Sequence, residues 1–200
     1  SSKNRESNIK IDGTAGNTVE FWLKKDNSSW LNAHSREVIL DINSSDTATN
    51  SPNFGRMTVE IKSPSVSGKS PFYFTYRSGS TGTSNTGTNR GVNLGDSTIT
   101  KDSVADGKWH HYAITAITSG SNTVYKFYVD GTINHTVSES HVIGPVNTFL
   151  SGTIGASTDQ GASATMGKGQ LSASLDEVRI WKKARTEKDI GRFWYSPVHG

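Results

Sequence analysis

Cysteine is absent from the 200 residues, which removes disulfides, thiolate metal sites and cysteine nucleophiles together. No apolar run approaches the roughly 20 residues that a membrane-spanning helix needs, so no membrane insertion is expected. Three catalytic signatures are also missing: His-Glu-x-x-His, Gly-x-Ser-x-Gly and the Gly-x-x-x-x-Gly-Lys phosphate loop. Neither sign of charge dominates, since 21 basic and 18 acidic residues leave a net charge of +3. The basic side chains gather only at Lys3, Arg5 and Lys10 and again at Lys182, Lys183, Arg185 and Lys188. No basic stripe interleaved with aromatics results, so nucleic acid is not an expected partner. A signal-peptide pattern is missing as well, and the chain opens on Ser1. A longer parent polypeptide is expected.

What the chain does have is alternation. In Thr18–Lys24, Val19, Phe21 and Leu23 share one side, and Glu20, Trp22 and Lys24 share the other. That period of two marks a strand with one face in a core. Phe72, Phe74 and Tyr76 oppose Tyr73, Thr75 and Arg77 in the same way. Further strands are expected at 38–42, 56–61, 109–117, 123–129, 132–137, 152–155 and 175–181. So many short strands with turn residues between them define an all-β sandwich or barrel. The length suits one such domain of about 200–250 residues. Asp130-Gly131 marks a tight hairpin turn, because glycine accepts the positive φ required there. Thr186 and Asp189 form a capping-box pattern, and Ile190, Phe193 and Trp194 then make one apolar stripe before Pro197. Three polar stretches, 43–54, 78–97 and 156–173, are rich in Gly, Ser, Thr and Asn and read as long loops.

Three phrases carry a resemblance. They are Asp106-Gly107-Lys108-Trp109-His110-His111-Tyr112-Ala113, Tyr125-Lys126-Phe127-Tyr128-Val129-Asp130-Gly131, and the run from Leu175-Asp176-Glu177-Val178-Arg179-Ile180-Trp181 to Ile190. In order and spacing they resemble the laminin-G-like branch of the concanavalin A-like jelly rolls, with the pentraxins as distant relatives. The resemblance implies a two-sheet antiparallel jelly-roll sandwich with one short C-terminal helical turn. Residues 18–195 would form the domain, 1–17 an arm with the first strand, and 196–200 a tail. The extra strand that the family carries at its front is shortened here to Asn8–Gly13, which again points to sequence missing upstream.

The resemblance also implies recognition rather than catalysis. The Glu-x-Asp-x-x-Glu run of the related glucanases does not occur. Asp176 and Glu177 are adjacent, so an ideal strand sends them to opposite faces. A retaining glycosidase needs its two carboxylates about 5–5.5 Å apart on one face. His110 and His111 fall to structural duty. Pentraxins hold two calcium ions, largely on the loop before the strand matched by Leu175–Trp181. In this chain Asp159 is the only carboxylate of that loop, and Gln160, Asp41 and Asp46 are the candidate ligands that could join it around one calcium ion. For sugar contact the candidates are Trp30 with His34 and Arg36, and Tyr73 with Arg77. Trp22, Trp109, Trp181 and Trp194 are assigned to packing. The expected function is a non-catalytic module that binds carbohydrate or a cell-surface or matrix ligand. It would belong to a larger extracellular, cell-surface or virion-associated protein. The alternative is a structural phage or viral component, such as a capsid decoration, tail or fibre, acting through neighbouring subunits.

Overall fold

The computed structural model describes residues 9–30, 36–46, 48–63, 69–83, 91–157 and 169–196. Among them the chain forms strands β1 (Asn17–Asp26), β2 (Arg36–Ser44), β3 (Gly55–Lys62), β4 (Phe72–Ser78), β5 (Thr81–Gly82), β6 (Val92–Leu94), β7 (Asp106–Ser119), β8 (Asn122–Val129), β9 (Thr132–Glu139), β10 (Leu150–Ile154) and β11 (Ser174–Trp181). Two short helices, α1 (Lys101–Val104) and α2 (Glu187–Phe193), complete it. One sheet has the order β11-β1-β7-β8-β9. The other runs β10-β2-β3-β4-β5, with β6 also on β4. Every pairing is antiparallel. This is the expected two-sheet jelly roll.

The alternating residues meet between the sheets. Val19, Phe21 and Leu23 of β1 face Met57, Val59 and Ile61 of β3 and Phe72, Phe74 and Tyr76 of β4 across one buried cluster. Its centre is aromatic: Phe72 lies 4.7 Å from Tyr112 and 5.1 Å from Phe127, ring centre to ring centre. Each such ring withdraws enough apolar surface to contribute about 1.5–3 kcal/mol. The Tyr76 hydroxyl is satisfied by donating to Asn17 Oδ1 at 2.7 Å. Ile11, ahead of β1, is fully buried in the same cluster.

Two local features shape the outer face of the five-stranded sheet. The turn between β8 and β9 has Asp130 at φ 47° and Gly131 at φ 78°, the left-handed pair that closes a two-residue hairpin. The predicted capping box is present at α2, with Thr186 Oγ1 accepting from Asp189 N–H and the Asp189 carboxylate accepting from Thr186 N–H. Ile190 is buried against Ala113 and Tyr128, so α2 docks on that outer face. Phe193, expected in the same stripe, stays half-exposed. α1 is an element the pattern of apolar residues does not announce, since Val104 is its one buried residue; its signal is the Thr100–Ser103 capping box. The stretch 78–97 holds β5 and β6, each too short for a periodicity to register.

Candidate ligand-binding site

Each sheet has an outer face, and the two differ. Tyr73 and Arg77 do lie on the non-core side of β4, but that side is covered: both are only 8% exposed. Lys62 Nζ sits 4.5 Å over the Tyr73 ring. The Arg77 guanidinium donates to the carbonyls of Thr83 (2.9 Å) and Ser80 (3.4 Å). Neither presents a platform to a sugar, which corrects the expectation. Arg36 is half-buried and tied to Glu60 at 2.6 Å. Trp30 packs against the core with Lys25 Nζ 5.7 Å from its ring, so it closes an edge of the sandwich. His34 lies outside the described residues.

The calcium candidates divide similarly. Asp159 and Gln160 lie outside the described residues. Asp41 is fully buried, with its carboxylate accepting from Arg56 Nε (3.2 Å) and Nη2 (3.1 Å), Thr58 Oγ1 (2.6 Å) and Ser157 Oγ (3.2 Å). Asp46 accepts from Ala48 N–H at 3.1 Å and from the Ser51 hydroxyl. Both carboxylates thus already serve protein donors. Among the described residues no group of three or more His, Asp or Glu could hold a metal ion.

The outer face of the five-stranded sheet is where open chemistry collects. Glu20, Trp22 and Lys24 project there from β1. Glu20 is fully buried, accepting from Arg185 Nη1 at 2.6 Å, with His111 Nε2 at 3.5 Å and Arg179 Nη1 at 3.9 Å. Burial pushes the Glu20 carboxyl up, but His111 and Arg185 outweigh it and hold the group below the ordinary carboxylate value. Trp22 packs edge-on to His111 (5.6 Å) and against Trp194 (5.4 Å).

Opposite Phe21, strand β11 bulges. Glu20 pairs with Arg179 and Trp22 with Asp176, so Glu177 and Val178 together oppose the single residue Phe21. Glu177 takes up the extra length at φ 49°, a left-handed conformation uncommon for its type. Bulges re-aim side chains. This one overturns the expectation that Asp176 and Glu177 must point to opposite faces, because both border one cavity of about 330 Å³. Trp22, Trp109 and Tyr195 supply its aromatic walls, and Arg179 and Ser196 the remainder. Trp109 is 42% and Tyr195 67% exposed, so the packing role assigned to Trp109 is also corrected. Trp181, in contrast, does pack: the Arg185 guanidinium covers its ring at 4.5 Å. Within the cavity Glu177 is committed to Arg179 through bonds of 2.9 and 3.1 Å.

His110 behaves as a structural residue beside this site. Its Nδ1 lies 2.9 Å from Asp130 Oδ2 and its Nε2 3.3 Å from Asp106 Oδ2. Burial alone would lower its pKa, but the two carboxylates win and raise it above the ordinary 6.5. A raised folded value means His110 stabilises the hairpin fully below pH 6.5 and loses that contribution as pH rises through the folded pKa. An NMR titration is expected to place its midpoint above 6.5, and Asp130→Asn to bring it down.

A twisted two-sheet sandwich with an aromatic- and carboxylate-lined cavity on one outer face is a lectin-like architecture. The sequence model of the concanavalin A-like lectin/glucanases superfamily, of laminin-G type, matches residues 3–191, and the chain belongs to that family. No curated protein matches the chain. Among solved structures it is similar to the CBM40 of the Ruminococcus gnavus IT-sialidase (TM-score 0.57, 11% identity, 90% of this chain and 83% of that one). That CBM40 is also solved bound to α2,6-sialyllactose. The heptameric SAP-like pentraxin of Limulus polyphemus is similar too (0.52, 13%, 91% and 70%). So is the NanB sialidase of Streptococcus pneumoniae (0.56, 16%, 94% and 26%), of which this chain matches a minor part. At such identities the likeness is one of fold. No helix among the described residues is long and apolar enough to cross a membrane.

Proposed function

We propose that the chain is a non-catalytic recognition module that binds carbohydrate in the cavity on the outer face of the five-stranded sheet. The observation that supports this reading is the exposure of Trp109 and Tyr195 beside Trp22, around a cavity lined by Asp176, Glu177 and Arg179. Such aromatic faces suit the apolar side of a pyranose, and the polar groups suit its hydroxyls. Catalysis is disfavoured because Glu177 is held by Arg179, leaving one carboxylate without an ion-pair partner among the described lining residues where a glycosidase needs two. A placement outside the cell, at a cell surface or on a virion, is part of the proposal.

The test is a glycan array with the domain displayed multivalently, since avidity raises weak single-site binding by roughly 10²–10⁴. Binding is expected in calcium and in chelator alike, and Trp109→Ala is expected to abolish it while leaving the unfolding midpoint nearly in place. Silence across the array, or binding indifferent to Trp109→Ala, would sink the reading. Dependence on calcium would return attention to Asp159 and Gln160. A second reading, a structural role among neighbouring subunits, is favoured by Phe149 and Ile154. Phe149, just ahead of β10, is 90% exposed and Ile154, the last residue of β10, is 56% exposed, and β10 forms one edge of its sheet.

A further inference from the structure

We propose that the cavity selects a saccharide unit carrying a free ammonium group, an amino sugar without its acetyl. This rests on the sugar-binding reading and adds the charge of the ligand.

The charges around the cavity are unequally compensated. Among the described residues Arg179 is the one cation lining it, and its side chain is 9% exposed. Its Nη2 donates to Glu177 Oε2 at 2.9 Å and to the Ser196 carbonyl at 2.7 Å, while its Nη1 lies 3.9 Å from Glu20 Oε2. That positive charge is shared between two carboxylates and turned inward. Asp176 is different. Its Oδ1 accepts the Glu177 N–H at 2.8 Å, and among the described residues it has no cationic partner. It is exposed at the rim, held there by the bulge. Lys24 pairs across from Trp109 on the neighbouring row, but it does not line the cavity and makes no ion pair among the described residues.

The ligand therefore meets one negative charge without an ion-pair partner among the described residues, together with three aromatic rings. An ammonium group gains from both, because ring faces attract cations and the carboxylate accepts its N–H donors. A carboxylated sugar would set like charge against Asp176, the opposite preference from a sialyl ligand. Bulk charge cannot supply this selectivity, since the chain as a whole carries +3 and repels a polycation.

The experiment is calorimetric titration of the domain, at low salt and at a pH where the amine is charged, with a fully deacetylated glucosamine tetramer and its N-acetylated counterpart. Galactosamine oligomers run in parallel separate the two amino-sugar sources. The free-amine form is expected to bind about tenfold more tightly. Asp176→Asn is expected to collapse that ratio to about two, with circular dichroism confirming the fold. Equal affinities, both lost on Trp109→Ala, would overturn the ammonium preference and leave the sugar site standing. A preference that survives Asp176→Asn would overturn the role given to Asp176. No binding by either oligomer, with neutral glycans still captured on the array, would overturn this proposal alone. Silence in both assays would overturn both.

Discussion

Replacing Glu20 with alanine is expected to destabilise the protein by about 3–5 kcal/mol, the range for removing one partner of a buried ion pair. Arg185 would keep its charge with its side chain only 8% exposed, and Arg179 would lose a carboxylate 3.9 Å from its Nη1. The measurement is denaturant unfolding, with a shifted midpoint and an unchanged slope. Removing both charges is gentler than removing one, so Glu20→Met combined with Arg185→Met should recover part of the loss. The pH dependence follows from the depressed Glu20 value. Its contribution is present above the unfolded-state pKa near 4.5 and lost as pH falls through the lower folded-state pKa. Wild type and variant should therefore converge in acid. A gap that stayed constant through the acid limb would refute the assignment.

Glu20 also shows what alternation along β1 does and does not encode. The pattern of Val19, Phe21 and Leu23 correctly places Glu20, Trp22 and Lys24 off the core, because one face of each sheet must bury its apolar residues. It is silent on whether the other face is open. On β4 the same logic sets Tyr73 and Arg77 opposite Phe72 and Phe74, yet that face is covered and their exposure vanishes. On β1 the non-core face is covered at Glu20 by Arg185, from the segment leading into α2, and borders the cavity at Trp22. Whether a face is roofed depends on where distant chain returns, which has no local signature.

The cavity escapes a sequence reading for a second reason. The capping box at Thr186–Asp189 and the turn at Asp130-Gly131 are written in residue types, so both are legible. The bulge at Glu177–Val178 is not: glutamate carries no preference for φ 49°, and no glycine marks the position. Without the bulge, adjacent Asp176 and Glu177 read as opposed. Trp109 opens the Trp-His-His phrase and so reads as packing, although only His111 of the three is buried. Tyr195 follows α2 and reaches the cavity only because Trp194 is seated on the sheet.

That seating makes Gly131 the second position where a small change has a large effect. Gly131→Ala is expected to cost about 2–5 kcal/mol, from two separable sources. An L side chain at φ 78° in the left-handed region costs about 1–2 kcal/mol. The added Cβ would also stand 2.2 Å from Trp194 Cδ1, and overpacking of this kind typically costs about 1–3 kcal/mol. Combining Gly131→Ala with Trp194→Ala relieves the second source alone, so a double-mutant cycle should reveal coupling between the two positions. The consequence reaches the ligand. If Trp194 is pushed off Gly131, its packing against Trp22 is disturbed and Tyr195 moves with it, so glycan affinity should fall although neither Gly131 nor Trp194 lines the cavity. Additive energies in the cycle, or full affinity in the Gly131→Ala protein, would separate the hairpin from the site and leave α2 a structural clasp only.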